Sequence, residues 1–129
     1  MQRLLIVRTD KTPDVHFDPA AGLFEISGSS IHENAEAFFR PLLEMVEAYT
    51  REPAPRTTVK LTLDYFNSSS SKYILDLLRL IDEVHVSGMA TATMEWHYDE
   101  DDLDMEEAGE DYKELLEMPV TVVCNRSTQ

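Results

Sequence analysis

Between Ala35 and Cys124 the hydrophobic pattern switches repeatedly between the period of a helix and the period of a strand, which leaves few folds open. Ala35, Phe38, Phe39, Leu42, Leu43, Val46 and Tyr49 recur three and four apart and mark one apolar helical stripe, with Glu33 or Asn34 as its cap. Pro41 falls inside that stripe and has no backbone N–H, so a kink or broken turn is expected near residues 37–41. Val59, Leu61 and Leu63 then alternate with Thr58, Lys60, Thr62 and Asp64 over a strand at residues 57–66. Tyr73, Ile74, Leu77, Leu78, Ile81 and Val84 form a second helical stripe, stopped by Gly88. Residues 91–98 read as a strand rich in threonine and aromatics. A third helix is predicted over residues 103–116, with Met105, Ala108, Tyr112, Leu115 and Leu116 inward, and after Pro119 a last strand covers residues 120–124. Upstream, residues 3–8 read as a short strand, residues 15–18 and 23–27 as a hairpin, and Gly28-Ser29-Ser30 as loop. The order β-ββ-α-β-α-β-α-β predicts an α/β domain built on one mixed, partly parallel sheet, with amphipathic helices mainly on one face.

A length of 129 residues suits one domain, expected over residues 1–129 with its core at about 3–124 and a frayed tail at 125–129. The single cysteine, Cys124, rules out an internal disulfide and reads as a small core residue. The apolar run near the N-terminus is only Leu4 to Val7, too short for a signal-peptide core. No run approaches the roughly 20 residues of a membrane span, so a cytoplasmic protein without membrane insertion is expected. Net charge is −14, which opposes binding to nucleic acid or anionic lipid and suits a basic protein partner. Much of that charge lies in residues 98–117, which hold eleven acids against Lys113 alone. That segment reads as a solvated face, as a surface for a basic partner, or as a divalent-cation site, although Asp99, Asp101, Asp102 and Asp104 lack the central glycine of a calcium loop. His16, His32, His85 and His97 show no metal-ligand spacing; His16 and His97 read as structural and Trp96 as core or half-buried. With four glycines and no phosphate-cradling loop, no nucleotide cofactor, catalytic residue or metal site is predicted.

One motif remains. Ser68, Ser69, Ser70 and Ser71 follow Tyr65-Phe66-Asn67 and open the second helix. Serine is a preferred helix cap, so the run has a purely structural reading. The same position favours a phosphate, because free N–H groups and the helix dipole stabilise an anion there.

The stretch from Asp64 to Leu78, with Asn67, the four serines and Lys72-Tyr73-Ile74-Leu75-Asp76 at its centre, resembles the signature of the SiaC family of bacterial regulatory phosphoproteins. Thr12-Pro13 with Val15-His16-Phe17-Asp18, Gly28-Ser29-Ser30 with Glu33-Asn34-Ala35, and Trp96 to Asp102 with Glu107-Ala108-Gly109-Glu110-Asp111 resemble further blocks of that family, in the same order. His32 stands where the family often has proline, a loop change. The resemblance spans about residues 9–123. It implies a single STAS-like domain that does no chemistry itself. It implies a histidine-kinase-like Ser/Thr kinase that phosphorylates the protein and a metal-dependent Ser/Thr phosphatase that reverses the reaction. It also implies an effector bound by the unphosphorylated form, a diguanylate cyclase in the best-known system, where c-di-GMP signalling promotes biofilm. The phosphoacceptor it implies follows the asparagine and is usually threonine; here it is Ser68, with Ser69 next best. Asn67, Ser69, Ser70 and Lys72 flank it as the expected partner-recognition residues. Two rivals are a small acidic metal-binding or enzymatic domain and a constitutive interaction subunit whose serines only cap.

Overall fold

The computed structural model describes residues 2–126. In chain order it holds β1 (Leu4–Ile6), β2 (Asp14–Asp18), β3 (Leu23–Ser30), α1 (Ala35–Arg51), β4 (Arg56–Phe66), α2 (Ser68–Val86), β5 (Thr91–Asp99), α3 (Leu103–Leu115) and β6 (Val120–Asn125). The strands lie side by side in sequence order in one sheet. β1, β2 and β3 pair antiparallel, and β3 to β6 pair parallel. Each parallel step advances in the same direction, so right-handed crossovers bring all three helices to the same face. Burial follows this division. Val15, Phe17, Phe24, Ile26, Val59, Leu61, Leu63, Met94 and Trp96 are buried on the helix side. The cross-strand row His16, Glu25, Lys60 and Glu95 lies on the other, open side.

Aromatic packing holds the layers together. Phe17 meets Phe24 and Tyr49 at ring distances of 5.3 Å each, which ties β2 and β3 to α1. Phe39 stacks on Tyr73 at 5.5 Å and joins α1 to α2. Trp96 is 1% exposed, and its indole N–H donates to the Met105 carbonyl at 2.9 Å, which fixes α3 over β5. Each such side chain contributes about 1.5–3 kcal/mol by burial, before entropy is counted.

Several expectations are corrected. Gly28-Ser29-Ser30 is not loop: β3 continues through it, because β4 supplies paired backbone partners at Leu63, Tyr65 and Phe66. α1 runs unbroken through Pro41. Pro41 and Ala37 both lie on the exposed face, where water can satisfy the Ala37 carbonyl that loses its partner. Leu115 is 52% exposed rather than inward, since α3 ends there and Leu116 takes the buried position. Cys124 is exposed, because β6 is the edge of the sheet and Cys124 lies near its end, opposite Tyr98. Asn125 belongs to β6 rather than to a tail, and residues 127–129 of the expected tail lie outside the described residues.

Gly109 shows how tightly α3 is seated. A Cβ there would lie 2.5 Å from Cδ1 of Trp96. Gly to Ala inside a helix normally stabilises by about 1 kcal/mol. Gly109→Ala is expected to do the reverse and cost about 1–3 kcal/mol by overpacking, read as a lowered urea midpoint with unchanged slope.

Candidate functional site at the strand to helix junction

The three helices begin at the same edge of the sheet, the C-terminal edge of the parallel strands, and each is capped in the same way. The side-chain oxygen of Asn34, Asn67 or Asp102 accepts from the N–H three residues on: Ala37 at 3.2 Å, Ser70 at 3.0 Å and Met105 at 3.1 Å. All three helix dipoles therefore present their positive ends along one edge.

The middle cap is the most connected. Asn67 N–H donates to the Ser30 carbonyl at 3.0 Å, and its own carbonyl accepts from Ser71 N–H at 3.0 Å. Its side-chain oxygen also accepts from the Ser69 hydroxyl at 3.1 Å, and its side-chain nitrogen donates to the His32 carbonyl at 3.3 Å. Asn67 therefore locks the first turn of α2 to the end of β3 and to the loop before α1. All four serines lie inside the helix, so the cap expected of one of them is Asn67 instead.

The serines take four different environments. Ser70 is fully buried, and the Ser30 hydroxyl donates to its hydroxyl at 2.9 Å. Ser70 therefore cannot meet a partner as expected; it is a structural bond between β3 and α2. The Ser71 hydroxyl donates back to the Ser68 carbonyl at 2.8 Å, and the Ser71 carbonyl accepts from Tyr112 of α3 at 3.3 Å. Burial pushes the Tyr112 phenol up to about 12, so it stays a donor at physiological pH. Ser69 is exposed but engaged with Asn67. Ser68, the first helical residue, is exposed, and its hydroxyl has no side-chain hydrogen-bond partner among the described residues. Lys72 lies one turn further on, also exposed, with its ammonium 6.0 Å from the Tyr73 ring centre. Residues four apart face the same side of a helix, so Ser68 and Lys72 are neighbours.

Sequence reasoning missed three participants. Ser30 was hidden by the loop assignment; continuing the β3 alternation Phe24, Ile26, Gly28 would have turned it inward. Tyr112 was read only as core. His32 is not a simple loop change: it is buried, its ring lies 4.4 Å from Phe38 and 5.3 Å from Phe39, and its Nε2 has no hydrogen-bond partner among the described residues. Burial holds its pKa below the usual 6.5.

Two measurements follow from this geometry. Asn67→Ala is expected to cost about 1–2 kcal/mol, because it removes a cap whose tie to His32 is lost as well. His32 binds its proton more weakly folded than unfolded, so below about pH 6.5 the unfolded chain holds more protons and stability falls as pH falls. Urea midpoints from neutral pH to about pH 5 should decline more steeply for the native chain than for His32→Leu; parallel declines would show that this ring contributes nothing to acid sensitivity.

Comparison with known proteins bears on the same region. The chain matches the model of the SiaC family regulatory phosphoprotein over residues 6–124. It is 30% identical over 122 residues to an uncharacterized protein of Pseudomonas aeruginosa (strain UCBPP-PA14), covering 95% of this chain and 96% of that one. A chain in the crystal structure of the diguanylate cyclase SiaD in complex with its activator SiaC from Pseudomonas aeruginosa superposes with a TM-score of 0.88 at 30% identity, covering 95% of this chain and 99% of that one. A structure of SiaC of Pseudomonas aeruginosa superposes at 0.87 with 29% identity, covering 97% and 100%. A match over nearly the whole length, in sequence and in fold, shows that the chain belongs to the SiaC family of regulatory phosphoproteins.

Proposed function

We propose that the protein is a non-catalytic signalling adaptor switched by phosphorylation of Ser68. The observation that carries this reading is the isolation of that hydroxyl. It sits exposed at the first position of α2, beside Lys72, with no side-chain hydrogen bond to break among the described residues. Phosphorylating Ser70 would force an anion into a fully buried site and break its bond to Ser30. Phosphorylating Ser69 would remove a donor to Asn67 and press negative charge against the oxygen that caps the helix. Ser68 alone of these three accepts the group without dismantling the junction.

The physical effect is local. The cap and the first intrahelical bond take the N–H groups of Ser70 and Ser71, which leaves those of Ser68 and Ser69 to the phosphate. A phosphoserine brings about −1.5 to −2 charge next to Lys72, so the exposed start of α2 changes sign without refolding. An effector that docks on that face loses its complement. SiaC of Pseudomonas aeruginosa is described as the activator of the diguanylate cyclase SiaD, and an enzyme of that class is the effector proposed here. The kinase is a histidine-kinase-like Ser/Thr kinase, and a metal-dependent phosphatase resets the switch, in keeping with a family of regulatory phosphoproteins.

The test combines mass spectrometry with cyclase activity. Incubation with the kinase and ATP should place one phosphate on Ser68; Ser68→Ala should abolish it and Ser69→Ala should not. Phosphate found only on another serine would refute the site. Ser68→Ala should leave the unfolding midpoint within about 0.5 kcal/mol of the native value, while activating the cyclase regardless of kinase.

A further inference from the structure

β4 does not keep its alternation to the end. Val59, Leu61 and Leu63 point to the helices, so Tyr65 should as well. Instead the ladder to β3 steps from the pair Gly28 and Leu63 to the pair Ser29 and Tyr65, which leaves Asp64 as a bulge. The extra residue reverses the two side chains that follow. Phe66 turns inward against Trp96 and Tyr112, at 6.1 and 6.5 Å between ring centres, and Tyr65 is left 57% exposed. A large aromatic is thus held out of the core by backbone pairing, two residues before the Asn67 cap.

Beside it is a notch of about 170 Å³, between the end of β4 and the first turns of α3. Tyr65, Phe66, Met105 and Ala108 give it apolar walls. Asp64 and Asp104 stand on its rim, and Asp102, also on the rim, is turned to cap α3. Neither Asp64 nor Asp104 forms an ion pair among the described residues. The volume is below the roughly 300–1,000 Å³ of small-molecule sites and suits a single side chain. Nor do three acidic, histidine or cysteine side chains converge as cation ligands among the described residues. An apolar floor under unpaired carboxylates is complementary to an apolar side chain flanked by cations.

We infer that this notch docks a short basic segment of a protein partner, one aliphatic side chain entering between Tyr65 and Ala108 and neighbouring Lys or Arg residues meeting Asp64 and Asp104. The inference rests on the reading of the protein as a partner-binding adaptor but not on phosphorylation of Ser68. It gives the acidic start of α3 a role that net charge alone does not supply: the charge selects the partner and the notch fixes its register.

The test uses the full unphosphorylated chain and a labelled hexapeptide, GRLKRG. Amide chemical shifts should move at residues 64–66 and 102–108, and fluorescence anisotropy should give a saturating curve. Replacing the peptide leucine by serine should weaken binding about tenfold. Ala108→Leu, which fills the notch, should weaken it comparably, and Asp64→Lys with Asp104→Lys should weaken it further. Glu44→Lys, exposed on α1, should change little. Equal binding of the leucine and serine peptides, or shifts spread over every acidic surface, would overturn the inference. Failure of the peptide with normal Ser68 switching would remove the notch and leave the adaptor reading intact.

Discussion

Asn67 carries a disproportionate share of the architecture. Its four polar groups reach the end of β3, the loop before α1 and three residues in the first turn of α2. A residue in the β region with its side chain folded onto the following helix is the ordinary N-cap conformation, and Asn67 adopts it at φ −85 and ψ 173. The backbone bond to Ser30 distinguishes it from Asp102, whose N–H reaches back only to Asp99 of the strand it follows, because the Asn67 bond joins the cap to a neighbouring strand. The buried Ser30 to Ser70 bond repeats the connection one turn deeper. With two such ties the first turn of α2 is positioned by the sheet, and the exposed Ser68 inherits a fixed position from groups that never reach solvent.

That position depends on topology. A sheet whose strands follow one another in chain order puts every parallel crossover on one face and every helix start at one edge. An open α/β sheet places its functional groups beyond the carboxyl ends of its strands for this reason. Here the edge carries three aligned caps, the serine run, the Asp64 bulge and the notch beside Tyr65. The open face, with His16, Glu25, Lys60 and Glu95 in one cross-strand row, is polar and leaves the helix layer to form the core.

The element order and the stripes of α1 and α2 were legible because each stripe keeps one period for its full length, and β4 because its alternation holds from Val59 to Leu63. Legibility failed where tertiary pairing overrode local chemistry. Gly28-Ser29-Ser30 has the composition of a loop and becomes strand because β4 offers partners. Pro41 lies in a helical stripe, yet its missing bond falls on the wet side. Cys124 was expected inside on chemistry alone, while an edge strand leaves it outside. At the site, the family resemblance pointed to Ser68 and its neighbours. Only coordinates separate them into one free hydroxyl, one cap partner, one buried bond and one helix-backed donor.

The charge of the whole chain and the charge of the phosphate proposed at Ser68 pull in opposite directions, and their magnitudes decide between them. A net −14 opposes one more anion. Exposed charges beyond the Debye length of about 8 Å are nevertheless largely screened at physiological salt. The favourable terms act inside that distance. The helix N-terminus contributes about 0.3–1 kcal/mol and an (i, i+4) pair with Lys72 about 0.2–0.5 kcal/mol per unit charge. Neither is large. Together they would orient the proposed phosphate along the start of α2 and bring Lys72 to it, which would remove the cation from the surface as the anion arrived. On that proposal a partner held by Lys72 would be lost through the exchange of one local charge for another, and the sheet, the cap and the buried Ser30 to Ser70 bond would have no reason to move.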